Sequence, residues 1–169
     1  MEAIVAGDVS GTVVHPAFTH VATLLGCLFW QLERRMNMYA AVEHEQLQLL
    51  FGVLDSIYPV GEVQIRYLLA IYYLFKQQMV EGEEQLMLGA DLVRRYNLVF
   101  PINADAFDPL QLQEATPDQV ELMSALSHLL YLDRCSSFVF HVPTRLDKCL
   151  DEALKSVAVC IGAHALFVD

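Results

Sequence analysis

The sequence is poor in positive charge. Its 169 residues hold 10 lysines and arginines against 21 acids, a formal net charge of −11. The bases are scattered as Arg34/Arg35, Arg66, Lys76, Arg94/Arg95, Arg134, Arg145, Lys148 and Lys155, so no patch forms that would neutralise a run of phosphates. Direct binding of nucleic acid is therefore not expected, and an anionic membrane would repel the chain for the same reason. Long apolar runs are also missing: "VATLLGCLFW" and "YLLAIYYLF" are about half of the ~20 residues that span a bilayer. The opening "MEAIVAGDVSG" carries an acid where a secretory signal carries bases. The four cysteines, Cys27, Cys135, Cys149 and Cys160, contain no C-x-x-C spacing, which points to reduced thiols in an intracellular protein.

Catalytic and metal motifs are scarce as well. His15 and His20 are five apart and do not share a helical face, and His44 in "VEHEQ" has no second histidine four residues on. The glycines form neither G-x-G-x-x-G nor a Walker loop, and no G-x-S-x-G elbow occurs. Ser136, Ser137, Cys135, Asp133 and His128 fall on one helical stretch, where side chains rarely converge on a common point. No catalysis, metal or cofactor is expected of this chain.

What the sequence has in excess is apolar residues at helical spacing. They make up 55% of the chain, with a mean hydropathy of +0.38, more than one small core needs. His15-Pro16 opens the first helix, with Pro16 suited to a first turn that does not miss its N–H. A second helix is expected over 39–58, stopped by Pro59 and Gly61. Residues 63–76 and 80–97 read as a helix pair around a tight "QQM" turn, with Ala70, Gly82 and Gly89 small enough for close approach. The pair is similar to one tetratricopeptide unit, but a solenoid needs about three. Residues 100–115 carry two prolines and three acids and read as a long loop. "TPDQ" restarts a helix to about residue 140, with Thr116 as cap, Pro117 in the first position and Gln119 completing a capping box. Pro143 follows, and a last helix is expected over about 145–164. No segment alternates at period two, so the expected fold class is all-α: antiparallel helix hairpins in an irregular helical bundle of about six helices. Residues 1–14 read as a flexible segment and 15–165 as one helical domain.

Asp133 and Arg134 sit inside the apolar run "YLDRCSSFVF". Adjacent helical residues point about 100° apart, so they reach different neighbours. Asp133 is expected to find a cap, a hydroxyl such as that of Tyr73, or an arginine on a facing helix, since an unpaired buried charge is costly. Arg134 is expected to snorkel outward.

The order of these signals resembles the middle homology (regulatory) region of fungal zinc-cluster transcription factors. "HPAF" is followed by "QIRYLLAIYYLFKQQMVEGEEQLMLGADLVRRYNLVF" and "MSALSHLLYLDRCSSFVFHVPTRLD", covering roughly residues 15–147. Gln64, Leu68, Leu69 and Tyr72 or Tyr73 match the first motif helix, Gly89, Ala90, Arg94 and Leu98 the second, and Asp133, Arg134, Ser137 and Pro143 the closing motif. His141 stands where the family commonly has glycine. The resemblance implies transcription regulation in a fungal nucleus, through the rest of the factor or other transcription proteins. A homodimer is one arrangement it allows. The six-cysteine cluster that holds two zinc ions and reads DNA in that family has no counterpart here, so zinc and DNA recognition belong to a segment outside this sequence. Two other readings are a small-molecule sensor with a pocket near Trp30, Tyr72, Tyr73, Phe75 and Tyr131, and a tetratricopeptide-like peptide scaffold.

Overall fold

A computed structural model describes residues 14–34, 37–98, 116–140 and 143–146. Every regular element among them is helical: α1 (Pro16–Arg34), α2 (Ala40–Val53), a 3-10 turn (Leu54–Ser56), α3 (Pro59–Phe75), α4 (Met79–Arg95) and α5 (Pro117–Phe140). The protein is all-α, as its apolar periodicity predicts. The expected loop over 100–115, the N-terminal segment up to residue 13 and nearly all of the expected last helix lie outside the described residues. The chain divides into two compact units, one up to Gln85 and one from Leu86, with the boundary inside α4.

In the first unit, α1 starts because Pro16 needs no partner and His15 supplies one for the next residue. The Ala17 N–H donates to His15 Nδ1 at 3.3 Å, which leaves the ring proton on Nε2. That proton faces Ser56 Oγ at 3.2 Å, and Ser56 in turn donates to the Val53 carbonyl at 2.6 Å. One imidazole thus caps α1 and ties its start to the end of the 3-10 turn. Ala17, Val21, Leu24 and Leu28 recur every three or four residues and are buried. They pack with Leu50, Leu54, Ile57, Ile65, Leu69 and Tyr72 in one core.

The second and third helices depart from their expected limits. The helix expected over 39–58 ends at Val53 and tightens into the 3-10 turn, after which Ile57 is extended. Pro59, expected as a breaker, instead opens α3, where its missing N–H costs nothing. Gly61 then follows inside the helix because the corner has no room for more. A Cβ there would lie 2.9 Å from Ile57 Cδ1 and 3.0 Å from Tyr58 Cζ.

The expected "QQM" turn is present, closed by Gln77 in the left-handed region at φ 60° and by the Gln78 N–H on the Tyr73 carbonyl at 2.9 Å. The close approach expected of the small residues is seen at Gly82, whose added Cβ would stand 2.9 Å from Leu74 Cγ.

In the second unit, Leu86, Ala90, Leu92 and Val93 of α4 and Met123, Ala125, Leu126, Leu129 and Leu130 of α5 are buried. The start of α5 is the capping box read from "TPDQ". The Thr116 N–H donates to Gln119 Oε1 at 2.8 Å, and the Gln119 N–H returns to Thr116 Oγ1 at 3.3 Å.

Candidate functional site

Each unit buries one carboxylate, and these two centres hold most of the buried polar chemistry among the described residues. In the second unit the centre is Asp133, 1% exposed on α5. Its carboxylate accepts the Arg145 N–H at 3.2 Å (Oδ1) and 3.0 Å (Oδ2), and the Leu146 N–H at 3.3 Å. The Arg145 guanidinium stands 3.7 Å from Oδ1. Arg94, at the end of α4, pairs with Asp91 at 2.8 Å and donates from its other nitrogen to the Arg145 carbonyl. Asp133 and Arg94 therefore hold opposite ends of one residue, the N–H and the C=O of Arg145. Backbone N–H groups hold Asp133 as a cap would, but the arginine beside it, Arg145, lies outside the described helices and not on a facing helix as expected.

Arg134 departs from expectation. Instead of snorkelling outward it is half-buried, with Nε and Nη2 shut off from solvent. Of the other motif residues, Gly89 is buried on α4, Pro143 is exposed, and Gln64 and Tyr73 are half-buried on separate turns of α3. Asp133 and Arg94 are brought together on Arg145; Gln64 and Tyr73 lie in the first unit and Asp133 in the second.

The first unit's centre is one that the sequence reading misses. Glu43 on α2 is 4% exposed. Its Oε1 accepts from Gln31 Nε2 at 2.8 Å, and Oε2 faces Lys76 Nζ at 2.9 Å. The Tyr72 hydroxyl donates to the same carboxylate. Gln31 passes the network on, its Oε1 accepting the Tyr39 N–H at 3.2 Å ahead of α2. Around it Trp30 meets Tyr39 edge-on at 5.1 Å, with the Arg34 guanidinium 5.3 Å over the indole. A signal for Glu43 does exist: it lines up with Leu47, Leu50 and Leu54 at positions i, i+4, i+7 and i+11, an acid on the apolar face.

These surroundings set the proton chemistry. Burial pushes the Tyr72 phenol well above its ordinary range, and the Glu43 charge adds to it. Burial likewise raises the Cys27 thiol, with Glu43 raising it further and Lys76 opposing. Both effects keep the acidic proton in place at neutral pH. The Glu43 and Asp133 carboxylates are each engaged by several donors, so accepting a substrate proton would cost bonds that hold the fold. That arrangement suits bracing better than acid–base turnover.

Two of the described histidines bond nearby glutamines: His20 Nδ1 bonds Gln46 Oε1 at 2.8 Å, and His44 accepts from Gln48 at 3.0 Å. Among the described residues no group of three or more His, Cys, Asp and Glu converges as a metal site would. None of the described helices is long and apolar enough to cross a membrane. The aromatic residues expected around a pocket are dispersed: Tyr72 pairs with Tyr73 and Phe75 with Phe29, both edge-on, while Tyr131 is 68% exposed. A separate cleft of about 410 Å³ is lined by Val14, His15, Pro16, Phe18 and Tyr58. No family model, no curated protein and no solved structure matches the chain.

Proposed function

We propose that the chain is a regulatory module of the fungal zinc-cluster transcription-factor type, acting in the nucleus through contacts with the rest of its factor or with other transcription proteins. It performs no catalysis, and zinc and DNA recognition lie in a segment outside this sequence. The observation that supports this reading is the joint hold of Arg94 and Asp133 on Arg145. Two motif segments distant in sequence meet on one residue, which gives a physical reason for the pattern that carries the resemblance. The net charge of −11 favours protein partners over phosphate backbones.

The test is a reporter assay in yeast. The whole chain, placed between a heterologous zinc-cluster DNA reader and an activation domain, should change reporter output several-fold, and Asp133→Ala should abolish that change. Unchanged output from a folded, expressed fusion would overturn the proposal, as would tight binding of duplex DNA by the chain alone at physiological salt. A second reading, a small-molecule sensor, is favoured by the His15 cleft, whose volume of about 410 Å³ suits a small ligand. A ligand-dependent rise in Tm, lost on substituting Phe18, would favour that reading.

A further inference from the structure

Residues 143–146 form a short non-helical stretch of the second unit, seated against α4 and α5. Pro143 and Thr144 are exposed, whereas Leu146 is 6% exposed. The stretch is gripped by its main chain. Asp133 of α5 takes two consecutive N–H groups, those of Arg145 and Leu146, and Arg94 of α4 takes the Arg145 carbonyl between them. Every residue except proline offers the same main-chain groups. These bonds therefore fix the conformation of whatever lies here and leave its sequence open.

Two side chains supply the selection. The Arg145 guanidinium stands 3.7 Å from Asp133 Oδ1, with its side chain 18% exposed, and the next residue, Leu146, is buried. A main-chain grip with seats for particular side chains is how proteins bind peptide segments of a partner. An empty seat would be costly, because Asp133 is 1% exposed and its carboxylate would lose its donors without gaining water. The stretch is thus released by exchange, when another occupant brings the same groups. Such an occupant has to be non-helical, since a helix spends its own N–H groups. It has to carry a basic residue followed by a large aliphatic one. The net charge of −11 draws basic segments toward the chain.

We infer that the seat between Arg94 and Asp133 is a peptide-binding site filled by the chain's own Arg145 and Leu146, and that a partner's non-helical segment with Arg or Lys before an aliphatic residue displaces them. A partner of this chemistry is one through which the proposed regulatory module would act.

The probe is the chain's own sequence as a separate peptide, acetyl-VPTRLD-amide, which copies residues 142–147. A tethered occupant competes at an effective concentration of about millimolar, so the wild-type chain should take up the peptide only at about that level. The Arg145 and Leu146 amides, protected without peptide, should then exchange rapidly while those of Leu126 and Leu129 stay protected. Leu146→Asp weakens the chain's own occupant and should bind the peptide about tenfold more tightly than wild type. The same peptide N-methylated at its arginine lacks the N–H that Asp133 accepts and should bind about tenfold more weakly. A Leu146→Asp chain with unchanged helical circular dichroism that binds no better than wild type would overturn the inference. Should that substitution cost the chain its helices, the wild-type chain decides: protection of Arg145 and Leu146 unmoved by millimolar peptide overturns it equally. Equal binding of the N-methylated peptide would overturn the main-chain grip. Peptide binding is read on the isolated chain and regulation on a reporter in yeast, so this site and the proposed function fail separately.

Discussion

The two units solve the same problem with different partners. Each removes a carboxylate from water and has to return its lost hydration. The first unit does so with side chains: Glu43 meets Gln31, Lys76 and Tyr72, drawn from α1, the end of α3 and α3 itself. The second does so mainly with backbone: Asp133 takes the N–H groups of Arg145 and Leu146. Side-chain partners can swing to solvent when the carboxylate is removed. Backbone donors fixed in place cannot, so the Asp133 centre is the more brittle of the two.

That difference is best tested by deleting each carboxylate. Asp133→Ala strands the Arg145 and Leu146 N–H groups and should cost about 3 kcal/mol. The loss should be accompanied by faster hydrogen exchange at Arg145 and Leu146 than at Tyr39. Glu43→Ala should cost less, about 2 kcal/mol, because the Lys76 side chain is already 25% exposed and can reach water. Its exchange signature is reversed, with Tyr39 released as Gln31 loses its anchor. Equal losses, or exchange spread evenly over both units, would show that the carboxylates are not brittle and adaptable versions of one device.

How legible these features are in the sequence follows the same division. Helices and caps are local, and local chemistry can be read: the Thr116–Gln119 box, Pro16 in a first turn and the turn at Gln77 stand where the residues announce them. Where steric context decides, the sequence misleads. Pro59 resembles a stop because Gly61 follows, yet Gly61 is there to clear Ile57 and Tyr58 inside a helix that Pro59 starts. Asp133 is legible as a buried charge needing a partner, but not the identity of that partner 12 residues on. Glu43 shows the limit most plainly. Its salt-bridge partner Lys76 is 33 residues away, a pairing no periodicity encodes.

The smallest expected effect separates hydrogen bonding from charge within the first centre. Tyr72 titrates above the ordinary tyrosine value of 10.0, held up by burial and by the adjacent Glu43 carboxylate. A group whose folded pKa is raised binds its proton more tightly in the native state than in the unfolded one. Its contribution to stability is therefore fully present below about pH 10 and is lost as pH climbs from there toward the folded value. Tyr72→Phe deletes that dependence together with one hydrogen bond. At pH 7 the variant should be less stable by about 1 kcal/mol, the phenol's bond to Glu43 being lost while Gln31 and Lys76 keep theirs. Above about pH 10 the deficit should shrink, because only the wild-type chain then gains an ionised phenol on unfolding that its native state cannot accommodate. Urea unfolding of wild type and variant at about pH 7, 9 and 10.5, values that bracket the ordinary phenol range, checks this. Parallel curves across the range would mean that the Tyr72 hydroxyl reaches water, and that the Glu43 centre is less shielded than its neighbours make it.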